Sequence, residues 1–223
     1  MYTLCVQAGL CNRLRAMLSH FAVAKEKGNY PLHVLWSKDR ACNGHFNDIF
    51  EKIEGILFKR GPKNLVRTLS ALPEAGPKMI EMNRLLKPKK VWQDIIDTVK
   101  SKLGKEYLAV HIRSLKDAVV PNKIEIFYKK IDSLSQKDCK IFVATDNART
   151  QAQMEARYKD RVVFSSAISS EKGPLRKTSL GIAVVDLFVC RDAEWFIPTT
   201  NMPTSYSELI SSLRAGIGKE PRN

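Results

Sequence analysis

The residues best placed to do chemistry lie between Leu108 and Asp117, LAVHIRSLKD. Leu108, Ala109, Val110 and Ile112 make the start of the stretch apolar, and His111 and Arg113 stand at alternate positions near its end. An apolar run ending in polar residues predicts a strand that stops at the carboxyl edge of an α/β sheet, where ligands collect because the chain then turns away. An arginine there suits phosphate, since its planar fork donates two parallel hydrogen bonds. The same residues also fit a plainer role, with His111 as a satisfied core histidine and Arg113 as a helix cap.

Similar positions recur along the chain. Gln7 to Arg13 (QAGLCNR) follows an apolar segment and precedes a helical pattern, so Gly9, Asn12 and Arg13 sit at a strand–turn–helix junction. A helix N-terminus presents unpaired N–H groups and the positive end of a dipole. One glycine is a weak phosphate signal, however, and an ordinary β–α turn accounts for it equally well. Asp146 and Asn147 end the apolar segment KIFVAT, and a Ser/Thr-rich turn runs from Thr199 to Ser207. Asp186 is the single carboxylate in the apolar stretch Ser179–Cys190. A carboxylate accepts two hydrogen bonds and offers none, as the N1–H and N2 amine of guanine require.

The elements that must hold these residues can be read from periodicity. Tyr2–Val6 and Leu32–Trp36 read as strands with a helix over Leu14–Lys27 between them, one parallel βαβ unit. A short helix is expected at Phe46–Phe50. Residues 53 to 90, rich in proline and glycine, read as long loops with short strands. Val91–Leu103 is helical by spacing, and Gly104 ends it. Beyond Gly104 the pattern alternates. Strands are expected at Leu108–Ile112, Lys140–Thr145, Arg161–Phe164 and Trp195–Ile197, and helices at Ile124–Leu134, Ala148–Tyr158, Ser179–Cys190 and Ser207–Ala215. The expected fold is therefore α/β, two Rossmann-like halves, 1–104 and 105–223, facing a cleft.

Composition narrows the function. A chain of 223 residues with 44% hydrophobic content can bury a real core. No apolar run approaches the roughly 18 residues of a membrane span. The N-terminus MYTLCVQAGL does not read as a signal peptide, and the expectation is a cytoplasmic protein. The five cysteines lack any CxxC pair, so they indicate neither a disulfide framework nor a zinc site. The net charge of +14 implies an anionic ligand or a solvated basic surface. Basic residues are spread over both halves, 18 Lys/Arg against 9 Asp/Glu up to residue 104 and 19 against 14 beyond. That spread, without a nucleic-acid-binding signature, argues against a nucleic-acid partner.

Taken in order, the motifs resemble those of the fucosyltransferase-like family, which includes the α1,6-fucosyltransferases, the nodulation fucosyltransferases and the protein O-fucosyltransferases. AGLCNR resembles the family's opening GGLxNR, and VLWSKDRACNGHFNDIF the segment after its second strand. VHIRSLKD resembles HxRRxD, FVATDN the third conserved segment, and the stretch from Thr178 to Ile210 the C-terminal region that ends in SSFS. The resemblance implies a compact GT-B-like fold and inverting transfer of a sugar, fucose in the typical member, from a GDP-sugar donor to a glycan hydroxyl. It implies no cofactor and no metal. It also implies roles. Arg113 would hold the donor's β-phosphate and stabilise leaving GDP, and His111 would lie near guanine and ribose. Asp186 would recognise guanine, Thr204 and Ser205 would contact the phosphates, and Asn12 and Arg13 would shape the cleft beside Gly9. Asp146 would join the donor site from the third segment. Asp117 is the candidate base for the acceptor hydroxyl, with a helix cap as the other reading. This chain departs from the family at Ala8, where glycine is usual, at Ser114 in place of the second arginine, at Lys116 with its acid one residue later, and in TSYS for SSFS. A non-catalytic GDP-sugar or glycan-binding module and a basic nucleic-acid-binding protein are the alternatives.

Overall fold

The structure, a computed structural model, describes residues 3–28, 31–59, 67–68, 71–113, 124–134, 139–166, 179–199 and 204–219. The first part of the chain forms β1 (Thr3–Val6), α1 (Leu10–Glu26), β2 (Leu32–Trp36), β3 (Ile56–Lys59), β4 (Arg67–Thr68), α2 (Met79–Asn83) and α3 (Lys90–Leu103). The remainder forms β5 (Tyr107–Ile112), α4 (Ile124–Leu134), β6 (Lys140–Thr145), α5 (Ala148–Tyr158), β7 (Val162–Val163), α6 (Leu180–Asp192), β8 (Trp195–Ile197) and α7 (Ser205–Gly216). Two parallel sheets result, ordered β3-β2-β1-β4 and β7-β6-β5-β8. No helix among the described residues is long and apolar enough to cross a membrane.

The pleat of β5 shows how the second sheet is covered. All six of its residues are buried. Leu108, Val110 and Ile112 point into a core completed by Ile124, Phe127 and Ile131 of α4 and Met154 of α5. Tyr107 and Ala109 point the other way, into a larger core. Side chains alternate along a strand, so His111 shares the face of Tyr107 and Ala109.

That larger core joins the two sheets. It runs from Leu4, Val6, Leu32 and Val34 through Leu14, Met17 and Leu18 of α1 to Val184, Val185 and Leu187 of α6, and on to Phe142 and Ala144 of β6. Packing also crosses Gly104, since α3 lies on α6 while α7 lies on α1 and α2. Gly181 sets the first of these approaches, because a Cβ there would stand 2.0 Å from the ring of Trp92. The second is fastened by hydrogen bonds from Asn83 Nδ2 to Ser212 Oγ at 2.6 Å and from Arg84 Nε to the Gly216 carbonyl at 2.8 Å.

Two helices begin two or more residues earlier than periodicity predicts. α1 starts at Leu10, not Leu14, with Gly9 as its extended N-cap and the Arg13 N–H bonded to the Gly9 carbonyl at 3.1 Å. α7 starts at Ser205, not Ser207, because the Thr204 hydroxyl caps it by accepting the Ser207 N–H at 3.0 Å. Ahead of α1 the chain passes through the left-handed region at Ala8, φ +70°. A side chain there costs about 1–2 kcal/mol, while glycine adds about 0.4–1 kcal/mol of unfolded-chain entropy. Ala8→Gly should therefore raise stability by about 0.5–1 kcal/mol, read as a higher urea midpoint at unchanged slope. A lower midpoint would contradict the strain assigned to this turn.

Candidate functional site

The carboxyl edge of the second sheet gathers most of the expected residues. Beyond Val110↔Ile197, where β5 and β8 last pair, Thr199 takes over. Its Oγ1 donates to the His111 carbonyl at 2.7 Å and accepts the Arg113 N–H at 3.2 Å. The same oxygen lies 3.2 Å from His111 Nδ1. Ser207, in the first turn of α7, lies closer, with Oγ 2.7 Å from Nδ1, and it accepts the Thr199 N–H at 3.2 Å. The ends of β5 and β8 and the start of α7 thus form one hydrogen-bonded unit that holds His111, Arg113 and Thr204. Ser205, partly exposed, follows the Thr204 cap as the first residue of α7. The histidine is buried, and that burial, reinforced by the Arg113 charge, pushes its pKa down to about 3. His111 is therefore neutral at physiological pH.

Asp186 joins this unit through Tyr206. The Tyr206 ring packs 4.7 Å from the His111 ring, and its hydroxyl donates to the Ala183 carbonyl of α6 at 2.5 Å. Desolvation and the nearby Asp186 charge hold the Tyr206 phenol well above its usual pKa. Asp186 is buried one helical turn on from Ala183, and burial pushes its carboxyl up to about 7, against the lowering effect of a hydrogen bond from Ser165. Ser165 comes from the segment after β7, so the carboxylate links the far edge of the sheet to α6.

On β6 the edge carries Thr145, in register with Ile112, then Asp146 and the α5 cap Asn147, whose side chain accepts the Thr150 N–H at 3.1 Å. Asp146 is partly exposed and stands one strand from Arg113. Asp117 lies outside the described residues.

On the side of the first sheet the structure describes Arg13 closely. Arg13 is fully buried, and its charge is used internally. Nε donates to the Ala8 carbonyl at 2.7 Å, and the terminal nitrogens bond the Ser37 carbonyl and the Asp39 carboxylate. Its guanidinium also lies 5.5 Å from the Trp36 ring. Asp39 in turn accepts the N–H groups of Ala41 and Cys42 at 2.8 and 2.9 Å. Arg13 therefore braces the loop after β2 against the first turn of α1, the turn that follows Gly9 and carries Asn12. Arg15, two residues on, reaches across to pair with Glu208 of α7.

Sequence reading placed Thr199, Tyr206 and Ser207 only within the Thr199–Ser207 turn, and it did not single out Ser165 or Arg15. The Thr199 role follows from register. Extending Val110↔Ile197 by two residues sets Thr199 beside Ile112, between His111 and Arg113.

No family model matches the sequence, and no curated protein matches it. Solved structures do match. NodZ alpha-1,6-fucosyltransferase soaked with GDP-fucose aligns over 95% of this chain and 92% of its own, with a TM-score of 0.66 at 14% identity. NodZ co-crystallized with GDP gives 0.67 at 15% identity over 94% and 91%. NodZ from Bradyrhizobium gives 0.63 at 14% identity over 94% and 92%. The chain has the NodZ fold.

Within this fold two buried titratable groups, Asp186 and His111, pull stability in opposite directions. The fold keeps a proton on Asp186 that the unfolded chain releases, so this group lowers stability as pH rises from about 4 to 7. The fold refuses His111 a proton that the unfolded chain accepts, so this group lowers stability as pH falls from about 6.5 to 3. Asp186→Asn removes only the first slope. Relative to wild type, the variant should gain stability between pH 5 and 7 by up to about 1.4 kcal/mol per pH unit, measured by urea unfolding at each pH. A difference independent of pH would refute the assignment of a buried, protonatable Asp186.

Proposed function

We propose that this chain is a GDP-sugar-dependent glycosyltransferase that moves a sugar, fucose by expectation, to the hydroxyl of a glycan, with inversion and without a metal. The observation that carries the reading is the unit at the β5 edge, where Arg113, a neutral His111 and the capped start of α7 are bonded together through Thr199 and Ser207. It is supported by a fold shared with a fucosyltransferase crystallised with GDP and soaked with GDP-fucose.

Each residue then has a task that follows from its chemistry. As the bond to the sugar breaks, negative charge grows on the departing diphosphate. Arg113 and the N–H groups of Ser205 and Tyr206 in the first turn of α7 would meet that charge, which is the term that most lowers such a barrier. This positive charge is the ground on which the proposed mechanism runs without a metal. Thr204 spends a lone pair on the Ser207 N–H and keeps its hydroxyl proton for a phosphate oxygen, as Ser205 would. His111 would face the nucleoside. Asp186, ionised, would accept the two guanine donors in a site dry enough to make both bonds strong. Gly9 and Asn12 would form the opposite wall, and Asp146 would border the donor from β6. Asp117 keeps its candidacy as the base that takes the acceptor proton. We also propose a cytoplasmic location, in keeping with five cysteines that form no disulfide with one another.

Arg113 is the sharpest handle on this reading. In an assay of GDP release from GDP-fucose with a panel of oligosaccharide acceptors, Arg113→Ala should lower kcat by about a hundredfold or more. Arg113→Lys, which keeps the charge but not the planar fork, should fall between that variant and wild type. Wild-type rates in Arg113→Ala would remove the mechanism.

A further inference from the structure

We propose that Ser207 is a positioning residue that fixes His111 as its Nε2–H tautomer, so that the ring presents a hydrogen-bond donor at the edge of the second sheet. The inference rests on counting protons. Thr199 Oγ1 has one proton, and it goes to the His111 carbonyl at 2.7 Å. Toward Nδ1, 3.2 Å away, that oxygen can therefore only accept. Ser207 Oγ already accepts the Thr199 N–H, and its own proton has Nδ1 as an acceptor at 2.7 Å. The shorter contact is thus a donation from Ser207 to Nδ1. Because the ring is neutral, its remaining proton must sit on Nε2.

Geometry gives that proton a direction. The two imidazole nitrogens point to different sides of the ring. With Ser207 and Thr199 gathered at Nδ1, Nε2 points away from both. One flank of the ring is covered by Tyr206, 4.7 Å away and itself anchored to α6, so the imidazole cannot swing freely. Ser207 is in turn held by its backbone, whose N–H is bonded to the Thr204 cap. The position of α7 is thereby translated into the protonation pattern of His111. On the GDP-sugar reading, the Nε2–H would donate to an oxygen of the ribose–diphosphate portion. The Nδ1–H tautomer would present a lone pair there instead and repel it.

The experiment is a long-range ¹H–¹⁵N correlation spectrum of the histidine rings at pH 7, in wild type, Ser207→Ala and Ser207→Thr, with GDP affinity measured on each protein. Only four histidines need assignment. Wild-type His111 should show the Nε2–H pattern. In Ser207→Ala, Nδ1 loses its donor and faces only the Thr199 oxygen as an acceptor, so the tautomer should shift toward Nδ1–H and GDP binding should weaken about tenfold. Ser207→Thr, which keeps the hydroxyl, should restore both. An Nδ1–H pattern in wild type overturns the proposal without any variant, and so does an unchanged Nε2–H pattern in Ser207→Ala. If wild type shows the Nε2–H pattern but does not bind GDP, the tautomer assignment stands and the nucleotide reading falls.

Discussion

One hydroxyl, Thr199 Oγ1, closes the sheet edge on which the site depends. β5 runs past the last residue that β8 can pair, so the His111 carbonyl and the Arg113 N–H would face the β8 side without ladder partners. Leaving such groups buried and unpaired costs about 1–3 kcal/mol each. Thr199 satisfies both with a single oxygen and spends its own N–H on Ser207. The same bonds fix the height of Arg113 against the start of α7. A charged side chain that must meet a phosphate is useful only if its backbone is held this way, since a small misplacement at a reacting centre costs a large factor in rate.

The second constraint is that the two sheets share one core. α1 is buried on nearly every side because it lies between the first sheet and the α2–α7 layer. This geometry explains the fate of two arginines. Arg13 is enclosed among Ala8, Ser37, Asp39 and Trp36, and Arg214 turns inward to the carbonyls of Cys190, Arg191, Ala193 and Glu194 at the end of α6. Carbonyls at a helix C-terminus carry partial negative charge, so Arg214 caps α6 electrostatically. Neither guanidinium is displayed as a surface cation, and the +14 of the chain overstates how much of its basic charge can attract an anion.

Much of this was legible in the sequence because it is local. The strands Leu32–Trp36, Lys140–Thr145 and Trp195–Ile197 and the helices Ile124–Leu134 and Ala148–Tyr158 have the bounds that periodicity predicts. His111 and Arg113 fall where an apolar run ends in polar residues, and Asp186 is conspicuous as the single carboxylate of an apolar helix. The misses share a cause. β3 is one of the short strands expected in the glycine- and proline-rich stretch, but at four residues it is too short for alternation to fix its bounds. The first turn of α7 is written in Ser205, Tyr206, Ser207 and Glu208, and that of α1 breaks off in Asn12 and Arg13 after Leu10 and Cys11, so apolar spacing starts late in both. Thr199 and Ser207 look like members of an unremarkable Ser/Thr turn, and their role arises only from the register of β8 on β5 and the docking of α7. The internal pairing of Arg13 was not legible, because Asp39, its partner, lies beyond the rest of α1 and all of β2.

A guanine nucleotide site at the β5 edge is the central claim, and a thermal melt tests it most directly. The melting temperature would be followed with GDP, GDP-fucose and UDP, each with and without EDTA. A ligand at about 100 times its Kd adds roughly 2.7 kcal/mol to the folded state, which is easily seen as a shift in Tm. The account predicts stabilisation by GDP and GDP-fucose, little by UDP, and no effect of EDTA. No shift with either guanine nucleotide, or an equal shift with UDP, would contradict it.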